Sequence, residues 1–74
     1  MHSRRTKLVL EAVQALVNAG KQGFSPADVG RQLREEGEPM SAWEVRGALS
    51  TLEASGEVRV DPATALWHAA KDPG

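Results

Sequence analysis

A chain of 74 residues with a formal charge of −1 amounts to one small domain, and its near-neutral balance argues against nucleic-acid binding by bulk charge. It has no cysteine, which excludes disulfides and thiolate metal sites and suits a reducing compartment. Its apolar runs are far too short for a membrane span, and no apolar stretch follows the basic start MHSRRTK as a signal peptide requires.

Residues 1–5 are polar and basic, and are expected to fray. A helical pattern then covers about residues 5–19, with Leu8, Val9, Ala12, Val13, Leu16 and Val17 on one side. Gly20 ends it, and Lys21-Gln22-Gly23 form a loop. In FSPADV, Ser25 is a helix N-cap and Pro26 occupies the first helical position, where its missing N–H costs nothing. Asp28 closes a capping box, and Phe24 and Val29 are spaced as a hydrophobic staple. Phe24 also suits a brief extended segment before the cap. The second helix runs to about residue 36, with Val29 and Leu33 inward and Gln32 beside them. Gly30 costs roughly 1 kcal/mol against alanine in a helix interior. Close approach of a neighbouring helix would explain it; a bland surface glycine is the alternative. Gly37 ends this helix, and Glu38-Pro39 cannot continue it.

MSAWEV repeats the capping chemistry: Ser41 caps, Glu44 closes the box, and Met40 and Val45 form the staple. The third helix covers residues 42–54, with Val45, Ala48, Leu49 and Leu52 on one stripe. Gly56 supplies its left-handed stop. Residues 57–60 alternate as a strand with one buried face. Asp61-Pro62-Ala63-Thr64 form a turn, with Asp first and Pro fixing φ at the second position. Residues 65–69 return as a second strand, and Asp72-Pro73-Gly74 are a tail. The expected architecture is α+β: a three-helix bundle with a C-terminal β-hairpin, one domain over residues 1–74 with an ordered core of about 5–70. That is the element order of a winged helix-turn-helix.

The third helix and its exit, S-x-x-x-V-x-x-A-L-x-x-L-E-x-x-G-x-V from Ser41 to Val58, resemble the recognition helix and wing start of bacterial winged-helix regulators. FSPADVGRQL looks like the preceding helix of the same superfamily. The stretch EVRGALSTLEASGEVRVDPATALWHAA is also similar to Z-alpha domains that bind left-handed nucleic acid, through Leu66-Trp67 and Pro62. Arg46 stands where those domains have Asn, Ser50 where they have Tyr, and Thr64-Ala65 replace their two prolines. The resemblance implies double-stranded DNA binding and transcriptional regulation, in the cytoplasm or on the nucleoid. The recognition helix would span residues 41–54 and the wing residues 57–69. A small, near-neutral monomer should bind weakly, so a homodimer, through helix one by analogy, or a larger protein partner is expected.

The candidate contact residues are Ala42, Trp43, Arg46, Gly47, Ser50, Arg59, Arg31 and Arg5. Arg46 faces away from Leu49 and Leu52, where an arginine reaches guanine O6 and N7 in the major groove. Its alternative is a solvated arginine. Ala42, Gly47, Ser50 and Thr51 keep the face small, which suits a groove or a protein partner. Trp43 either folds over the turn before the helix, covering Pro39 or Met40, or is a contact residue; tryptophan is enriched at protein interface hot spots. Arg59 and the wing tip would lie near a phosphate backbone, and Arg31, Arg34, Arg4, Arg5 and Lys7 would add phosphate contacts. Glu35, Glu36 and Glu38 form an acidic patch that must point away from DNA or toward a basic partner. The same face could therefore serve a protein–protein module instead. His2 and His68 lie at opposite ends of the chain without cysteine or paired carboxylates, so no metal or other cofactor is expected. Ser25 and Ser41 are caps rather than nucleophiles, and no catalytic constellation or glycine-rich phosphate loop is present.

Overall fold

Residues 3–70 are described by a computed structural model of the chain. His2 and the Asp72-Pro73-Gly74 tail lie outside them. Three helices precede a two-stranded antiparallel hairpin: α1 (Arg4–Asn18), α2 (Pro26–Glu35), α3 (Ala42–Ala54), β1 (Val58–Val60) and β2 (Trp67–Ala69). The class is α+β. Among the described residues, no helix is long and apolar enough to cross a membrane.

Each helix start has a local cause. Ser3 caps α1 by accepting the Thr6 N–H at 3.2 Å, so Arg4 and Arg5 are helical rather than frayed. Both expected capping boxes form. Ser25 N–H donates to Asp28 Oδ2 at 2.9 Å, and Asp28 N–H to Ser25 Oγ at 3.2 Å. Ser41 N–H donates to Glu44 Oε1 at 3.0 Å, and Glu44 N–H to Ser41 Oγ at 3.4 Å. The three ends share one device. Gly20, Gly37 and Gly56 all have positive φ, and the residue after each donates back to Leu16, Leu33 and Leu52, respectively. This is the Schellman arrangement, and it turns the chain sharply enough for the next element to fold back.

The three helices pack against one another, β1 lies against α3, and β2 against α1. Val9, Ala12 and Val13 of α1 meet Val29 and Leu33 of α2, Val45, Ala48, Leu49 and Leu52 of α3, Phe24 and Val58. Leu8, Leu10, Leu16, Met40 and Trp67 close the edges. Val17, expected inward, is 40% exposed and lines an open cleft with Lys21, Arg59 and His68. Thr6 is buried instead, its hydroxyl 3.1 Å from that of Ser3. Gly30 is not a site of close approach: a Cβ there would meet no atom within 4 Å.

The hairpin pairs Val58 with Ala69, Arg59 with His68 and Val60 with Trp67. Phe24 joins the edge of the hairpin by an isolated antiparallel bridge to Trp67. Its N–H donates to Trp67 O at 3.0 Å, and its carbonyl accepts the Trp67 N–H at 2.7 Å. The extended segment before Ser25 is therefore real, and it fastens the α1–α2 connection to the hairpin. The returning strand begins at Trp67 rather than residue 65, because Ala65 has φ +60 and breaks the extended run. The turn closes on itself: Asp61 Oδ1 accepts the Ala63 N–H at 2.9 Å, and Asp61 O accepts the Ala65 N–H at 2.7 Å.

Candidate nucleic-acid interface

The buried stripe of α3 leaves its opposite side open. Ala42, Trp43, Arg46, Gly47, Ser50 and Thr51 are all exposed, on a helix whose other face is sealed by Val45, Ala48, Leu49 and Leu52. The side chains at positions 42, 47 and 50 are small, and Thr51 folds its hydroxyl back onto Gly47 O at 3.1 Å. That bond uses up the hydroxyl proton of Thr51 and keeps the ridge low. Along one flank, Arg31 and Arg34 of α2 share a cleft of about 250 Å³ with Ala42, Met40 and Val45. Among the described residues, no carboxylate lies within ion-pair distance of Arg31, Arg34, Arg46 or Arg59.

The other flank is different. Arg5 Nη2 lies 3.2 Å from Glu44 Oε2, while the second oxygen of Glu44 accepts both the N–H and the hydroxyl of Ser41. One carboxylate thus completes the α3 cap and ties α3 to α1. Its pKa falls below the ordinary glutamate range, first because of the Ser41 N–H, then the Ser41 hydroxyl, with Arg5 adding to both. Asp28 is lowered in the same way by the Ser25 N–H, with smaller contributions from Lys21 and Arg31. Arg4 pairs with Glu38 at 3.5 Å. Both N-terminal arginines therefore face glutamates. Glu36 accepts from the Gln32 amide at 2.8 Å, so part of the acidic patch is satisfied within α2.

Trp43 does not fold over Pro39 or Met40. It is 74% exposed, and it borders the cleft on the α1 side with Ser3, Arg5, Thr6, Gly47 and Thr51. The cleft at Pro39 and Met40 is lined by Arg4, Arg5, Leu8, Glu38 and Glu44 instead.

The candidate residues form two groups. Ala42, Trp43, Arg46, Gly47 and Ser50 lie on one open helix face, with Arg31 and Arg5 on its two flanks. Arg59 lies apart, in clefts it shares with Lys21 and His68 or with Asp61 and Pro62, and neither cleft includes a residue of α3. Lys21 and His68 carried no binding role in the sequence, because only the hairpin register and the Phe24 bridge bring them to Arg59. No three histidine or carboxylate side chains among the described residues are grouped to hold a metal. No protein-family model, curated protein or solved structure matches the chain.

Proposed function

We propose that the chain is a winged-helix module that binds double-stranded DNA and serves transcriptional regulation. In this reading α3 enters the major groove through Ala42, Trp43, Arg46, Gly47 and Ser50. The hairpin lies along the backbone through Arg59. The observation that carries it is the open face of α3: small side chains around an arginine with no acidic partner among the described residues, bordered by two more arginines of α2. An arginine so placed has its guanidinium free for a guanine edge, a contact worth about 1–3 kcal/mol of discrimination. The near-neutral charge makes the monomer a weak binder, so a homodimer or attachment to a larger protein would supply the rest.

Fluorescence anisotropy with random duplex at low salt tests the reading. Binding in the micromolar range that weakens with salt is expected, and Arg46→Gln should relax sequence preference among selected sites. Absence of binding at tens of micromolar ends the stand-alone DNA reading.

A second reading has its own support. An indole 74% exposed beside Gly47, with both N-terminal arginines facing glutamates, suits a protein partner docked on this face. Trp43→Ala separates the two: a protein-docking surface loses its partner outright, whereas a DNA surface keeps its salt-dependent affinity through the arginines.

A further inference from the structure

We infer that Trp43 reads a base, selecting a thymine that neighbours the guanine taken by Arg46. The inference rests on the duplex-binding reading and deepens it by naming the step that the open face of α3 recognises. Trp43 stands at the crest of that face. It lies about two and a half turns before Leu52, and so diametrically opposite a fully buried side chain. It is 74% exposed and takes no part in the packed interior. Gly47 and Ser50, about one and two turns further on, lie on the same side. A Cβ at Gly47 would meet no atom within 4 Å, and Thr51 has its hydroxyl turned back onto Gly47 O at 3.1 Å. One large apolar group therefore projects from the N-terminal end of an otherwise low face. That is the end whose residues contact base edges when a recognition helix enters the major groove.

The backbone beneath the ring is fixed. Ser41 N–H donates to Glu44 Oε1 at 3.0 Å, and Glu44 N–H donates to Ser41 Oγ at 3.4 Å. Arg5 holds the other Glu44 oxygen at 3.2 Å. The first turn of α3 thus presents the indole from a set position. Among the described residues nothing accepts the indole N–H.

What this ring can recognise follows from its chemistry. It has one donor, no acceptor and a broad apolar surface. In the major groove guanine and adenine offer no methyl group, and cytosine offers an amino donor. Thymine alone sets a 5-methyl group beside an acceptor, O4. Arg46 is exposed three residues further along α3, on the adjoining side, with no carboxylate in ion-pair distance among the described residues. Three residues advance a helix by about 4.5 Å, close to the ~3.4 Å between stacked bases. The indole and the guanidinium therefore suit neighbouring base pairs, a thymine and a guanine.

Sites are selected by the wild type from a random duplex pool, then remade with deoxyuridine at single thymines and titrated by anisotropy. Deoxyuridine removes the methyl group and leaves O4 and the base pairing intact. The selected sites should carry a thymine beside a guanine. Deoxyuridine at that thymine should weaken wild-type binding about fourfold, the worth of one buried methyl group. Trp43→Ala should bind both duplexes alike, with the wild-type salt dependence, because the indole neutralises no phosphate. Trp43→Phe should keep a difference between them, and it decides the matter if Trp43→Ala binds too weakly to titrate. Arg46→Gln should lose the guanine preference and keep the thymine–deoxyuridine difference. Neither side chain belongs to the core, so the variants should fold, which circular dichroism checks. A pool that yields no preferred site, sites without that thymine, or equal wild-type affinity for thymine and deoxyuridine overturns the inference and leaves the α3 reading standing. So does a difference that Trp43→Ala leaves unchanged, the result expected of an indole that docks on a protein instead. No duplex binding by the wild type overturns both.

Discussion

Gly47→Ala should stabilise the fold and weaken duplex binding at the same time. Gly47 lies inside α3 without positive φ, and a Cβ added there meets no atom within 4 Å. The substitution therefore carries no packing penalty, and the helix gains the difference between alanine and glycine, about 0.8–1.0 kcal/mol. For a domain of this size that raises the melting temperature by about 4–8 °C. The new methyl group stands on the open face of α3, one turn beyond Trp43, where a helix lying deep in a groove has least room. Thermal melts followed by circular dichroism measure the first effect, and anisotropy with duplex the second. A melting point unchanged or lowered refutes the account of the helix. A raised melting point with duplex affinity untouched refutes the close approach of this face to DNA.

Ala65→Gly should be neutral to stabilising by up to about 1 kcal/mol. A non-glycine residue in the left-handed region costs about 1–2 kcal/mol, and glycine returns part of that as unfolded-state entropy; clear destabilisation in urea melts would contradict it. Phe24→Ala should remove about 3–5 kcal/mol from a total of about 4–11, a large fall in the denaturation midpoint that chemical denaturation would report. Acid should destabilise the fold through both capping boxes. Asp28 and Glu44 have depressed pKa values, so the unfolded chain binds their protons first. The stability they contribute is present above the ordinary carboxylate range and is lost as pH falls through their folded values. Asp28→Asn and Glu44→Gln should each flatten the pH dependence of unfolding in that range, and parallel curves for all three proteins would count against the caps.

What could be read from the sequence was local. Ser25 with Asp28 and Ser41 with Glu44 settle helix starts within four residues, and the glycine stops settle the ends, so α2 and α3 lie where the pattern places them. The Ser3 cap carries no such signal, because no acidic residue follows it at the box position. Ala65 gives no hint of positive φ, because alanine rarely adopts it, and so the pattern predicts a returning strand that starts two residues before the observed one. The open face of α3 followed from helical periodicity alone. Its flanks did not: the Arg5–Glu44 pair, the exposed Trp43 and the cleft of Lys21, Arg59 and His68 depend on how distant segments meet.

The pairing of Phe24 with Trp67 has a consequence for how this chain can vary. The hairpin is aimed by two backbone bonds at the last strand pair before its turn, while residues 62–64 at the tip are exposed and bonded only among neighbours. Aim and reach are thus set by separate parts. Residues can be inserted at the tip, lengthening the projection to span a different distance, without redirecting it or disturbing the packed interior.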